Sequence, residues 1–365
     1  MKFDERPFIA IWETTQACDL ACQHCRASAQ PLRDAGELTT DEGKRLLDEL
    51  ADARTPLVVL TGGDPAKRPD LLELLEYGIG RGLNMALTPS ATPLVTDDLV
   101  QELARIQLSC VAISIDGPTA SVHDAFRGVP GSFEHSLRIL ARARSCGLPT
   151  QVNTSIHAGN IAQLEQMAEL VATLGARLWS VFYVVPTGRA QLELMPSAEA
   201  VEESLTRLAT IAERVRFGVK TTAAPHYRRV LAERAKQRGV ATEHGFRGKA
   251  AVRINDGRGF VFVSHRGDIF PSGFLPVPCG NVRSSKLLTV YGEHPVFRAL
   301  RDSAQLTGKC GACEYRNLCG GSRARAYATQ GDWLASDPLC AYVPPGYVGA
   351  PTAKSPRRQL ELLDG

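Results

Sequence analysis

The sequence predicts an α/β protein in which six parallel βα units close part of a TIM-type barrel, followed by a small cysteine-rich C-terminal domain. Between Phe8 and Pro186, short apolar runs alternate with amphipathic stretches. The repeat of ~25 to 40 residues belongs to parallel βα units rather than to a sandwich or a bundle. With 365 residues, 44% of them hydrophobic, the chain has the length and composition for a large domain and a smaller one. Past Pro186 the rhythm breaks, and four of the ten cysteines fall between Cys310 and Cys340.

Strands are read at Phe8–Trp12, Leu57–Leu60, Met85–Thr88, Val111–Ile115, Thr150–Ile156 and Trp179–Val184, each bounded by turn or polar residues. Helical spacing separates them: Leu46, Leu47 and Leu50; Leu71, Leu72 and Leu75; Leu99, Val100 and Leu103; Leu137 and Leu140; Leu164, Met167, Val171 and Leu174. Thr40, Thr96 and Asn160 stand where N-caps are expected. Residues 197–217 read as one long helix with Leu205, Leu208, Ile211 and Val215 on a common face. From His226 to Arg258 nine Lys or Arg meet three acids. That stretch reads as a solvated connector or as a mouth for a carboxylate- or phosphate-bearing substrate. Phe260 to Pro271 reads as a β-hairpin turning at Arg266-Gly267-Asp268, and the segment from Pro344 as a surface tail. The divisions are 1–195, 196–258, 259–343 and 344–365. In a barrel of this kind the chemistry sits at the C-terminal ends of the strands.

Composition excludes several functions. Lys plus Arg number 42 against 39 acids, a net charge of +3, which argues against a protein that wraps nucleic acid. The N-terminus is charged, without the apolar stretch of a signal peptide, and no apolar run is long enough for a membrane span. No P-loop or dinucleotide fingerprint is present. The expected compartment is the cytoplasm, where thiols stay reduced and ten of them favour metal chemistry.

Cys18, Cys22 and Cys25 lie at intervals of four and three, just after the first strand. Three thiolates fall short of a closed tetrahedral zinc site. They suit a cubane iron–sulfur cluster with one iron lacking a protein ligand. With Thr61-Gly62-Gly63-Asp64-Pro65 after the second strand, the sequence resembles the radical S-adenosylmethionine (SAM) superfamily, whose hallmarks are a C-x3-C-x2-C loop and a Gly-Gly-Glu-Pro motif. The resemblance implies a SAM-binding 4Fe-4S cluster on the three cysteines and a cofactor site made from His24, Gly62, Gly63, Asp64, Pro65, Ser114, Asp116, Arg127, Asn153 and Val184. It implies an enzyme that cleaves SAM reductively to a 5′-deoxyadenosyl radical and abstracts hydrogen from a substrate. An external one-electron reductant such as flavodoxin or ferredoxin would feed it. The glycines at 62 and 63 are expected to let backbone approach the cofactor closely.

Cys310, Cys313, Cys319 and Cys340 by themselves read as zinc ligands. Beside the first motif, C-x2-C-x5-C with a later Asp-Pro-x-Cys resembles the SPASM or twitch extensions of that superfamily, implying an auxiliary 4Fe-4S cluster with all four irons ligated. Ser272 and Arg323 occupy positions where SPASM proteins with two auxiliary clusters carry cysteine, so one auxiliary cluster is expected. Cys279, Cys110 and Cys146 read as buried or core thiols.

Ile11-Trp12-Glu13-Thr14-Thr15, Val184 to Arg189 and Pro271-Ser272-Gly273-Phe274 look most like enzymes of heme d1 and alternative heme biosynthesis and their uncharacterised relatives. Those enzymes remove or oxidise carboxylate side chains of a tetrapyrrole, and the basic stretch together with Arg189 suits such carboxylates. A SPASM maturase acting on a ribosomal peptide is the alternative; 17 residues before Cys18 leave no room for a leader-recognition domain in this chain. A two-cluster electron carrier is a third reading. The catalytic proton donor or acceptor is open, with Tyr183, Asp268 and His265 as candidates.

Overall fold

The computed structural model describes residues 3–239 and 254–349. Its sheet runs through β1 (Ile9–Glu13), β2 (Leu57–Thr61), β3 (Met85–Leu87), β4 (Cys110–Ser114), β5 (Thr150–Ile156), β6 (Leu178–Tyr183) and β7 (Gly218–Thr222), each parallel to the next. A hairpin, β8 (Phe260–Val263) and β9 (Asp268–Phe270), lies on the other side of β1, with the short β10 (Gly280–Asn281) at the far edge. β8 pairs parallel to β1 while β9 and β10 are antiparallel additions, so the barrel's sheet continues across the predicted boundary at residue 259. The β-branched and aromatic content of Val58, Val111, Ile113, Val152, Trp179 and Val181, all buried with Leu60, accounts for strand formation and for a core closed on both faces.

Helices cover the outside: α1 (Thr40–Asp52), α2 (Leu71–Gly80), α3 (Asp97–Arg105), α4 (Ala120–Arg127), α5 (Ser132–Ser145), α6 (Leu164–Leu174), α7 (Ala198–Arg214) and α8 (His226–Gln237). Four short helices follow the hairpin: α9 (Leu287–Glu293), α10 (Pro295–Arg301), α11 (Gly308–Ala312) and α12 (Arg323–Gln330).

Four local expectations need correction. The cap of α1 is Thr39 rather than Thr40, because Thr39 stands three residues before Glu42 and the two close a capping box. Thr96 does cap α3, accepting from Leu99 N. Asn160 caps nothing with its side chain; its amide donates to the Asp116 and Ser155 carbonyls, tying the exit of β4 to that of β5. The long helix ends at Arg214, and Gly218–Thr222 forms the edge strand β7, half-buried and without an apolar run to announce it. The connector from His226 is the helix α8, which buries Tyr227, Arg229 and Val230 beneath a dense run of charge.

Candidate active site and metal centres

The loop carrying Cys18, Cys22 and Cys25 leaves β1 with little regular structure of its own, and the neighbouring βα loops hold it by backbone hydrogen bonds. Gly63 N donates to Thr15 O at 2.8 Å and Asp64 N to Ala17 O at 2.6 Å; Ala21 N and Gln23 N donate to Arg127 O and Phe126 O; Arg189 N donates to Cys25 O at 2.9 Å. A Cβ on Gly63 would come within 2.5 Å of the Gln16 and Ala17 carbonyl oxygens, and one on Gly128 (φ +71°) within 2.8 Å of Ala21 O. The close approach expected at Gly62 and Gly63 is therefore present, but what approaches is the cysteine loop's own backbone.

The remaining predicted cofactor residues gather at the same strand ends. Ser114 and Asn153 are register partners on β4 and β5. Asp64 is buried and bonded to Thr92 Oγ1, Ser90 N and Ala66 N, so its carboxylate shapes the turn holding Pro65. Val184 is buried, and its carbonyl accepts from Arg325. Asp116 is fully buried: Oδ1 accepts from Ser155 N at 2.7 Å and Oδ2 from Arg127 at 2.6 Å. Burial alone would raise its pKa, but the Arg127 guanidinium and nearby His24 and His123 hold it at about 2. His24 lies 3.9 Å from Asp116 and stacks on Phe126 at 4.2 Å, which stacks in turn on His157 at 4.0 Å. Burial drives the His24 pKa down to about 3 and lowers that of His157. His157 Nδ1 accepts from Gly159 N, so its proton is on Nε2. That Nε2, His24 Nδ1, and Arg189 Nε and Nη2 are buried with no hydrogen-bond partner among the described residues.

Sequence reasoning passed over Phe126 and His157, although His157 directly follows β5 at the C-terminal end where barrel chemistry sits. It quoted Glu13 only as part of a motif. Glu13 is buried, its Oε1 2.6 Å from Arg26 Nη2 and its Oε2 3.3 Å from His265 Nδ1, joining the cysteine loop to the hairpin. Arg26 also lies over the Phe262 ring at 4.6 Å and reaches Gly273 O. Of the three proton-transfer candidates His265 alone joins this group. Tyr183 is buried against Ser204 of α7, and Asp268 is held by Ser264 and Asn281 within its hairpin.

Cys310, Cys313, Cys319 and Cys340 line one pocket with Arg229, Lys309, Arg316 and Tyr342. Burial raises the Cys313 and Cys319 thiols and pushes Cys340 up to about 11. Gly321 is at φ +65°, where a Cβ would meet Cys310 Sγ at 2.9 Å. Among the described residues no three His, Cys, Asp or Glu converge tightly enough for a single metal ion; a cluster that bridges several irons holds its ligands further apart.

The sulfur contacts test whether these cysteines suit thiolate ligation. Cys18 accepts from Leu20 N (3.4 Å), Cys22 from Arg127 (3.7 Å), Cys25 from Ala29 N (3.3 Å), Cys310 from Arg323 (3.5 Å), Cys313 from Tyr315 N (3.4 Å) and Cys319 from Gly321 N (3.4 Å). Cys18 also donates to Ser90 Oγ at 3.3 Å, and Cys340 donates to the Tyr342 carbonyl at 3.9 Å. Cys279 and Cys110 also donate to carbonyls, those of Val277 and Val111. N–H donors aimed at sulfur favour the anion, so the first set and Cys310, Cys313 and Cys319 of the second fit iron–sulfur ligation, and Cys340 joins them by lining the same pocket.

The basic stretch does not form an open mouth in its described part. Arg229 is buried between Glu202 and Glu233, Arg234 and Arg238 pair with Glu213, and Arg228 donates to the Leu318 and Ile254 carbonyls. Residues 240–253 of that stretch lie outside the described residues.

The family model "Radical SAM superfamily" matches residues 12–174. An AdoMet-dependent heme synthase of Nitratidesulfovibrio vulgaris is 41% identical over 92% of this chain and 92% of its own length. Another, of Methanosarcina barkeri, is 39% identical over 93% and 97%. A mycofactocin maturase of Mycobacterium tuberculosis is 31% identical over 92% and 83%. Among solved structures, Streptococcus suis SuiB bound to S-adenosylmethionine superposes with a TM-score of 0.73 at 15% identity, covering 93% of this chain and 78% of its own, which supports the barrel fold.

Proposed function

The chain belongs to the radical SAM superfamily and is a radical SAM enzyme, and on that premise we propose that it acts on a carboxylate-bearing tetrapyrrole in heme-type biosynthesis. The observation that carries the substrate class is the 41% identity, along nearly the whole chain, to a protein named AdoMet-dependent heme synthase. When bound, a 4Fe-4S cluster and SAM supply one-electron chemistry that ends in hydrogen-atom abstraction.

This chain's residues position and shield that chemistry. Cys18, Cys22 and Cys25 would hold the cluster, on a loop fixed by backbone hydrogen bonds to Gly63, Arg127 and Arg189. Arg127, paired with Asp116, keeps a cation beside Cys22 without leaving a bare buried charge. The buried unpartnered atoms of His24, His157 and Arg189 are donors and acceptors suited to a polar ligand. Glu13 and His265 form a buried acid–base pair beside the loop and are the candidates for moving a substrate proton. Cys310, Cys313, Cys319 and Cys340 hold an auxiliary 4Fe-4S cluster, and a flavodoxin- or ferredoxin-type protein supplies the electron.

The test is anaerobic incubation of the iron- and sulfide-reconstituted enzyme with SAM, a reductant and an iron porphyrin deuterated on its carboxylate side chains. Deuterium appearing in 5′-deoxyadenosine, together with loss of carboxylate mass from the porphyrin, is the expected result. SAM cleavage that leaves the porphyrin unlabelled and unchanged overturns the substrate. The similarity to mycofactocin maturase supports the second reading, a peptide substrate; transfer of label from a deuterated precursor peptide would then replace transfer from the porphyrin.

A further inference from the structure

Among the described residues four arginines are almost wholly inaccessible: Arg68 (3% exposed), Arg229 (2%), Arg323 (2%) and Arg325 (0%). A buried guanidinium is costly unless an anion accompanies it. Arg68 has Asp70, Arg229 has Glu202 and Glu233, and Arg325 has Asp337. Arg323 has no carboxylate among the described residues. Its Nη1 donates to the Trp333 and Ala335 carbonyls at 2.9 and 2.6 Å, its Nε to Gly321 O, and its Nη2 to Cys310 Sγ at 3.5 Å. Asp337, on the adjoining turn, gives its oxygens to Arg325, Ser322 N and Leu339 N instead.

We propose that Arg323 is the resident counter-ion of the auxiliary cluster, charge-paired through Cys310, and that it sets the cluster's reduction potential. The proposal rests on the reading of Cys310, Cys313, Cys319 and Cys340 as cluster ligands. Two features of the site agree with it. The guanidinium is fixed by three carbonyls, so it cannot swing away to solvent. Gly321 leaves room where a Cβ would lie 2.5 Å from Arg323 Nη2 and 2.9 Å from Cys310 Sγ, so the contact between nitrogen and sulfur depends on that glycine. One-electron reduction adds a negative charge to the cluster with no bond made or broken, and a fixed cation at a ligating sulfur stabilises the reduced form. Arg323 is thus a positioning residue for charge, occupying a place where two-cluster relatives are expected to carry another cysteine.

The experiment uses full-length protein with Cys18, Cys22 and Cys25 changed to Ala, reconstituted with iron and sulfide, so that only the auxiliary site remains. That parent should hold about four irons per chain; a parent without iron removes the four-cysteine reading and the proposal with it. Potentiometric titration with dithionite, read by electron paramagnetic resonance, then compares Arg323→Met and Arg323→Lys in that background. Arg323→Met should lower the midpoint by at least about 59 mV, a tenfold change in the one-electron equilibrium. Arg323→Lys should lower it less. Loss of iron in Arg323→Met with retention in Arg323→Lys also supports the charge role. Four irons retained in both with an unmoved potential, or iron lost from both, overturns it.

Discussion

The two cysteine sets place their buried cations differently. At the first, the cation beside the sulfur, Arg127, is already neutralised by Asp116, and the polar atoms without partners belong to His24, His157 and Arg189 around it. At the second, the cation beside the sulfur, Arg323, has no carboxylate among the described residues. At the arginine beside its sulfur the first arrangement is complete in charge, while the groups around it lack hydrogen bonds, as suits a site whose ligand comes and goes. The second is complete in hydrogen bonds at its arginine and incomplete in charge, as suits a permanently bound anion.

The largest expected effect is on activity. Cys22→Ala should abolish SAM cleavage, roughly a 10³-fold loss or more, measured as 5′-deoxyadenosine formed under dithionite, while about half the iron remains. Cleavage that survives would dissolve the distinction between the sets. Next is the stability of the iron-free protein. Arg127→Met strands Asp116 in the core and should cost about 3–5 kcal/mol. Arg323→Met strands no carboxylate and should cost about 1–3 kcal/mol, chiefly from three released carbonyls. Urea unfolding of both apo variants checks the order, and equal costs would remove the contrast between the two arginines.

The contrast was only partly legible from sequence. The six strands follow from periodicity and the two cysteine sets from spacing; the family resemblance pointed to Asp116 and Arg127 as cofactor contacts but not to their ion pair. The edge strand β7 did not, because Gly218-Val-Lys-Thr-Thr lies half-exposed at the end of the sheet and need not be apolar. The helix α8 was hidden by its charges, two of which, Arg229 and Arg234, pair with Glu202 and Glu213 of α7. Phe126 and His157 were missed because they are joined by stacking across α4 and the exit of β5, a contact that no spacing encodes. The Asp of Asp337-Pro338-Leu339-Cys340 looked like part of a ligand motif. Its role is to bind Arg325, whose other N–H groups cap the Tyr183, Val184 and Ala223 carbonyls and lock the second cysteine set to the barrel.

The first site should also be the more acid-sensitive. His24 and His123, at about 3 and 4, lie below the ordinary histidine value of 6.5 because burial disfavours their charged forms. Between those values and 6.5 the unfolded chain binds more protons than the folded one, so stability falls as pH falls. Asp116 adds a contribution present above pH 3.8 that is lost as pH drops toward 2. Going from pH 7 to pH 5 should therefore cost roughly 2 kcal/mol for each of the two histidines, read from urea midpoints. His123→Gln should flatten that dependence. An unchanged slope would mean the imidazoles are not neutral in the fold.

The smallest effect is expected at Cys279, which adjoins the second set in sequence without joining it. Its sulfur donates to Val277 O at 3.4 Å, burial pushes its pKa up to about 12, and it is not among the residues lining the four-cysteine pocket. A thiol held protonated by an apolar wall is a small hydrophobe that donates a weak hydrogen bond. Cys279→Ala should thus lose about 1 kcal/mol from one small buried group and leave iron content and SAM cleavage unchanged. A matched Cys340→Ala should release the auxiliary iron. Iron loss from Cys279→Ala would move the boundary of the second set to include it, making membership of the four-cysteine pocket a poor guide to which thiols ligate.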